Sequence, residues 1–393
     1  MSAVRVGIVG TSWWADAMYL PALADHAHGS VTAICGRTPA TVNAIADAWS
    51  IPERYTDWRE LLGARSIDAL IVATPNDTHH PITMAAVAQG IPVLCEKPLA
   101  MDTDQADQMV AAAEAAGVLT MVPFTYRWMP TNRWTKRLVD EGFVGRPYHL
   151  HLRYFAGYAR GGEYAWRFDT ALAGSGLIGD LGAHWLDMAR WLLGEVTAIS
   201  CTTDRFVPRA PRPDGSTYEA AEDSAVIQAR FESGALAVIH VTAVAWEGTD
   251  FGQVHTLDLH GSGGTLHVLN DWSATQEVRG VRADQPGPAA VLPIPDDIWQ
   301  GAPRDRVHDT YRHVFRRTES MTRAWVTSLA TGAPLTAAHR RHCGRDTGRV
   351  TMRRGTSTTA LLRRPRTPPQ LSPGGGGAPS FAAGPERQHL GAR

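Results

Sequence analysis

Between residues 4 and 124, five short and almost uninterrupted apolar runs alternate with stretches of helical period, and this constrains the fold more than any other feature. The runs are VRVGIV, VTAIC, DALIVATP, IPVLCEKP and VLTMVPF. Strands of this kind are those buried on both faces, as in a parallel sheet covered by helices. In the intervening stretches, Val42, Ile45, Ala46 and Trp49 fall on one helical face, with Thr38 as N-cap and Pro39 in the first helical position. Gly90 and Gly117 close two further helices. Pro21 should interrupt or end a helix running from Trp14 to Ala24. The expected fold class is α/β, with a doubly wound parallel sheet over residues 1–124.

After Phe124 the rhythm changes. TNRWTKRLVDEG and GAHWLDMARWLLG read as helices. PYHLHLRYFAGY alternates, putting His149, His151 and Arg153 on one face and Tyr148, Leu150 and Leu152 on the other. Several β segments follow from Ala225 to Leu269, and RTESMTRAWVTSLATG reads as a late helix. Residues 125–336 are therefore expected to form an α+β domain with a large, mostly antiparallel open sheet. Residues 337–393 are low in complexity and are expected to be a disordered basic tail.

The net charge of −1 hides an asymmetry: residues 331–393 hold eleven Arg against only Asp346 and Glu386. The arginines of that tail lack interleaved aromatics apart from Phe381, which argues against a nucleic-acid arm. No apolar run is long enough to cross a bilayer, and Cys35, Cys95, Cys201 and Cys343 are too scattered for a zinc knuckle or a disulfide framework. With no signal peptide evident, a cytoplasmic location is expected. Lysine occurs only at Lys97 and Lys136, while arginine supplies the other basic side chains. A lysine in such a chain is a candidate for proton chemistry that arginine cannot perform.

Three stretches carry chemistry. In GIVGTSWWAD the pattern G-x-G-x-x-G/A aligns as Gly10, Ser12 and Ala15, after a strand and before a helix, which is the setting of a Rossmann dinucleotide site. Gly10, Thr11, Ser12 and Trp13 are the candidate contacts there; Trp14 fits a cofactor contact or the core. The second strand ends in Arg37 and Thr38, where an NAD site usually has an acid, so NADP is favoured over NAD. Thr74, Pro75, Asn76 and His79 follow a strand end and are expected to line the cofactor; His79–His80 lacks a third ligand nearby, and no metal is expected. CEKPLA places Glu96 and Lys97 at the same sheet edge. In GDLGAHWLDMARW, Asp180 and His184 are four apart, a spacing at which a carboxylate orients an imidazole; Asp187 fits a structural role equally.

The order of GIVGTSWWAD, ATPNDTHH, CEKPLA, FTYRWMP, WRFDTALAGSGLIGDLGAHWLD and EDSAVIQARFESGALAVIHVTA resembles the Gfo/Idh/MocA oxidoreductases over roughly residues 3–335. The resemblance implies a Rossmann domain plus an open-sheet domain, catalysis at their junction, and Lys97, Asp180 and His184 as catalytic residues. It also puts Arg167 near the substrate and implies a homodimer or homotetramer through the second sheet. Tyr126, Arg127, Tyr158 and Trp166, with the polar face of His149, His151 and Arg153, are candidates for binding substrate hydroxyls; the strand face fits an oligomer interface equally. The expected activity is NAD(P)-dependent interconversion of a hydroxyl and a ketone on a sugar, sugar derivative or cyclitol. Which of Lys97 and His184 exchanges the proton stays open, as do a non-catalytic sugar or nucleotide sensor and an NAD-dependent glycosidase. The chain departs from the family at Ser12, which replaces the middle glycine, and in its ending after residue 336.

Overall fold

The computed structural model describes residues 3–248, 252–273, 275–318 and 321–335, and the backbone of 360–361. Val4–Val9 (β1), Gly29–Cys35 (β2), Glu53–Tyr55 (β3), Ala69–Val72 (β4), Val93–Cys95 (β5) and Thr120–Met121 (β6) form a parallel sheet of order β3-β2-β1-β4-β5-β6. Val6, Ile8, Ile34, Ile71 and Leu94 are wholly buried, which is why these runs carry no polar alternation. The strand order reverses between β1 and β4, and ligands bind outside the carboxyl ends of strands at such a point. β3 and the helix Trp58–Gly63 escaped the sequence reading because three residues, ERY, give no period to detect.

The second sheet contains Pro147–Ala156 (β7), Val196–Asp204 (β8), Ser224–Phe231 (β9), Leu236–Thr242 (β10), Gln253–Gly261 (β11), Gly264–Asp271 (β12), Gln276–Arg282 (β13), Gln285–Val291 (β14) and Ala360–Leu361 (β15). Its order is β14-β13-β12-β11-β7-β10-β9-β8-β15, antiparallel throughout except for β7 beside β10. The fold class is thus α/β, a Rossmann sheet plus a large, mostly antiparallel sheet. Leu150, Leu152 and Tyr154 of β7 point into the core, while His149 and His151 are exposed, as their alternation requires. Tyr148, at the start of the strand, is exposed as well. Apart from Ala360–Leu361, the basic tail expected from residue 337 lies outside the described residues.

Pro21 neither breaks nor ends the first helix. A π turn over Ala15–Tyr19 runs directly into the α-helix Leu20–Leu23. Proline has no N–H to give the carbonyl four residues back, which is that of Ala17. Arg316 fills the vacancy, its Nε lying 2.7 Å from the Ala17 oxygen and its Nη2 also bonding there. Arg316 belongs to the helix Val307–Arg317, which with Met321–Thr331 packs on the N-terminal sheet; Val326 presses on Gly29, and Arg317 and Arg323 both pair with Asp25.

Candidate functional site

The turn after β1 is shaped for close approach. Gly10 has φ of 129°, and a Cβ there would lie 2.2 Å from the Ala73 carbonyl oxygen, so no other residue fits without displacing backbone. Its N–H donates to the Cys35 carbonyl at 2.9 Å, tying the turn to the end of β2. Ser12 and Trp13 are exposed beside it, Arg37 and Thr38 are exposed where β2 ends, and Thr74 and Pro75 are half-buried where β4 ends. Together with the helix start at Trp13, this cradle fits a dinucleotide: backbone is bare at the turn, and cationic and hydroxyl groups flank it.

Lys97 stands at the end of β5, before a cis bond to Pro98. Its Nζ donates to the Asp180 carbonyl at 2.9 Å and to Asp180 Oδ1 at 2.8 Å. The other carboxylate oxygen accepts from the Tyr158 hydroxyl at 2.7 Å and lies 3.6 Å from Arg167 Nε. Burial alone would raise the Asp180 carboxyl; Lys97, Arg167 and the bonds from Lys97 and Tyr158 outweigh it and hold this group well below the ordinary carboxylate range. Asp180 reaches Lys97 because its π turn, Ile178–Gly182, is rich in small residues. Gly179 faces Pro98, and a Cβ on nearby Gly176 would strike the Glu222 carbonyl at 2.2 Å.

His184, buried in the helix Ala183–Leu193, packs edge-on to Tyr126 and Phe124, with ring centroids 4.7 and 5.9 Å away. Its Nδ1 is enclosed without a hydrogen-bond partner. Burial, then the charge of Lys97, push the imidazole well below its ordinary value, against a smaller opposing pull from Asp180. At neutral pH it is unprotonated.

Several expected placements are corrected. The Asp180 carboxylate does not orient His184: its oxygens are taken by Lys97 and Tyr158, with Arg167 nearby, three groups brought to it from elsewhere in the fold. Arg127 is buried and its guanidinium is spent on Asp187, donating to both carboxylate oxygens, with Nε 2.6 Å from Oδ2. Glu96 is closed off from a cofactor, accepting from Trp14 Nε1 at 2.6 Å and the Tyr19 hydroxyl at 2.5 Å. Trp14 accordingly sits on the core side, against Phe315 and Tyr311. His79 is wholly buried, its Nδ1 2.9 Å from the Pro98 carbonyl and its Nε2 3.0 Å from that of Thr74, so it brackets the Lys97–Pro98 turn to the loop after β4. Asn76 is also buried and donates to the Ala173 carbonyl at 3.0 Å. Trp166 stacks under the guanidinium of Arg167.

Two ion pairs that sequence reading missed, one buried and one half-buried, hold the segment bearing Tyr158 and Arg167. Arg212 pairs with Asp169, and Arg209 pairs with Asp223 while donating to the Ala159 carbonyl at 2.6 Å. These partners are far apart in sequence and carry no spacing signal.

The buried imidazoles set a pH dependence of stability. His79, His184 and His255 are all pushed below the ordinary value of 6.5, by burial first. Below pH 6.5 the unfolded chain therefore binds protons that the folded one refuses, and stability falls as pH drops from there toward the folded values. Each group contributes a slope of up to about 1.4 kcal/mol per pH unit. Denaturant melts at pH 7.5 and 5.5 are expected to show a lower midpoint at the acid pH; equal midpoints would contradict it.

Among the described residues no helix is long and apolar enough to cross a membrane. The family described as oxidoreductase family, NAD-binding Rossmann fold, matches residues 4–124, and the Gfo/Idh/MocA C-terminal domain matches residues 132–267. Inositol 2-dehydrogenase 2 of Saccharopolyspora erythraea is 30% identical over 79% of this chain and 82% of its own length. Levoglucosan dehydrogenase of Pseudarthrobacter phenanthrenivorans is 28% identical over 68% of this chain and 73% of its own. Among solved structures, an oxidoreductase domain protein from Kribbella flavida superposes with a TM-score of 0.72 at 28% identity, covering 84% of this chain and 91% of that one. A switch-point cradle, a lysine–aspartate pair facing an unprotonated imidazole, and these matches together place the chain in the Gfo/Idh/MocA family of NAD(P)-dependent dehydrogenases and reductases.

Proposed function

We propose that this protein interconverts a secondary hydroxyl and a ketone on a sugar, sugar derivative or cyclitol. The observation that carries the reading is the Lys97–Asp180 pair at 2.8 Å beside a buried, unprotonated His184. A non-catalytic sensor has no use for such a proton-handling pair. Relatives named for levoglucosan, D-apiose, inositol and 1,5-anhydro-D-fructose supply the substrate class.

Gly10, Thr11, Ser12 and Trp13 would hold the pyrophosphate and its surroundings, Arg37 and Thr38 the adenosine ribose, and Thr74 and Pro75 the wall of the crevice. When bound, the nicotinamide cofactor takes up or returns the two electrons and one hydrogen of the reaction. The protein handles the other proton. An ammonium has three donors; Asp180 occupies two of those on Lys97, and the third is left for the substrate oxygen. There it stabilises the negative charge that develops as the hydroxyl loses its proton. His184 takes that proton in oxidation and gives it back in reduction. Asp180, kept ionised, holds Lys97 in place, while Tyr158 and Arg167 fix the other side of the carboxylate beside the substrate.

NADP is the cofactor this reading favours, because exposed Arg37, a cation suited to a 2′-phosphate, and Thr38 stand where β2 ends, in the place an NAD site usually fills with an acid. Titration with NADPH and NADH, followed by tryptophan emission, tests it. Arg37→Glu is expected to weaken NADPH binding by roughly 10- to 100-fold, the worth of a charge-assisted phosphate contact, and to leave NADH binding nearly unchanged. Equal loss for both would point to NAD. Screening the four relatives' substrates by cofactor absorbance then tests the substrate class; binding of NADPH without turnover on any polyol or ketone would favour the sensor. Leu236 and Val238, exposed on β10, support assembly through this sheet into a homodimer or homotetramer, which light scattering would measure.

A further inference from the structure

Glu222 and Asp223 are neighbours just before β9, and their carboxylates reach two different segments of the proposed site. Glu222 Oε1 accepts from the backbone N–H of Gly176 at 2.9 Å and from that of Ile178 at 3.1 Å. The Glu222 carbonyl accepts from the N–H of Leu177, between them, at 3.1 Å. One residue thus holds three successive N–H groups that lead into the π turn bearing Asp180. Such groups have no acceptor inside the helical stretch they begin. The Asp180 N–H in turn donates to the Gly176 carbonyl at 3.1 Å, so the held backbone is also what Asp180 hangs from.

Asp223 is wholly buried and serves the other segment. Its oxygens accept from the N–H groups of Phe206 and Val207, each at 3.0 Å, and from Arg209, which also donates to the carbonyl of Ala159, next to Tyr158. One dipeptide therefore fastens both the turn that carries Asp180 and the segment whose tyrosine hydroxyl meets the Asp180 carboxylate at 2.7 Å. The fit at the turn is close: a Cβ on Gly176 would lie 2.2 Å from the Glu222 carbonyl oxygen and 3.0 Å from the Ala221 Cβ. The leading influences on the Asp180 carboxyl are burial, the charges of Lys97 and Arg167, and the bonds from Lys97 and Tyr158. Glu222 is not among them, so it bears on Asp180 through the backbone it holds rather than through its charge.

We infer that Glu222 is a positioning residue for the proposed reaction: by holding the backbone of residues 176–178 it sets the Asp180 carboxylate where Lys97 and Tyr158 meet it. Asp180 in turn holds the ammonium of Lys97, so a shift of this turn moves the donor that faces the substrate oxygen. Displacing such a group by about 1 Å can cost on the order of 100-fold in rate. The catalytic half of this inference rests on the dehydrogenase reading; the hold of Glu222 on the turn does not.

Glu222→Leu in the full chain removes the acceptor and keeps most of the bulk. It is expected to lower kcat roughly 10- to 100-fold. KM for the polyol that supports turnover, with myo-inositol tried first, and the NADPH affinity read by tryptophan emission should change by less than about threefold. Glu222→Gln keeps an oxygen able to accept both N–H bonds and should recover most of the lost turnover. Gly176→Ala pushes the same turn off Glu222 without altering that side chain, and should reproduce the fall in kcat. Amide hydrogen exchange supplies a readout that needs no turnover: Gly176 and Ile178 are expected to exchange roughly tenfold faster in Glu222→Leu than in the parent, and near the parent rate in Glu222→Gln. Parent-like kcat in Glu222→Leu, no recovery in Glu222→Gln, or loss of NADPH binding along with turnover overturns the inference, the last because Glu222 would then serve the fold at large. Turnover that survives in Lys97→Met would sink the dehydrogenase reading instead; the exchange rates would still decide whether Glu222 holds the turn, and unchanged rates in Glu222→Leu overturn it.

Discussion

Lys97→Met is expected to lower kcat by roughly three orders of magnitude or more, because it removes the donor to the reacting oxygen and the charge that stabilises it. The folded chain should survive. Methionine fills a similar volume, and Asp180 keeps its bond from Tyr158 and its neighbour Arg167. Loss of the lysine does release the Asp180 carboxyl upward, since the lysine charge is the largest of the influences holding it down. Lys97→Arg separates charge from shape: it restores a cation but replaces a compact ammonium by a planar fork that cannot make both Asp180 contacts in the same way. It should stay far below the parent in turnover while NADPH still quenches tryptophan emission. Turnover above about a tenth of the parent in Lys97→Met would end the proposed mechanism.

The largest effect on stability is expected at Arg127. Its guanidinium and the Asp187 carboxylate are almost fully enclosed, at 4% and 8% side-chain exposure. Arg127→Met strands an ionised carboxylate in the core, a loss of about 3–5 kcal/mol. Thermal melts should move down by on the order of 10 °C. Replacing both partners, Arg127→Met with Asp187→Leu, removes the stranded charge and should recover most of the loss. A single variant that melts within about a degree of the parent would mean that water reaches the pair.

The parallel sheet was legible because its strands are buried on both faces and its turns are punctuated by glycine and proline. The same signal placed Lys97 and the Asp180–His184 stretch at sheet and helix ends, and the structure brings these residues together with Tyr158, Arg167 and Tyr126. Sequence reasoning failed where partners are set by tertiary geometry. An i, i+4 spacing suggested that Asp180 serves His184, but tertiary contacts take its carboxylate to Lys97 and Tyr158. Arg127 and Glu96 lie in chemistry-bearing motifs, yet their charges are spent on Asp187 and on Trp14 and Tyr19. Only the short-range alternation of β11 is visible in the sequence; that Gln253 and His255 connect Trp272 to Tyr154 requires β7, β11 and the end of β12 to be placed side by side.

The carbonyl of Ala17, left without its helical donor by Pro21, finds it in Arg316, 299 positions later. During synthesis the amino-terminal sheet therefore emerges from the ribosome with its first helix short of a donor, and with Asp25 still awaiting Arg317 and Arg323. A chain ending before residue 307 would leave the Ala17 carbonyl without Arg316 and Asp25 without Arg317 and Arg323, so the last helices complete the amino-terminal half.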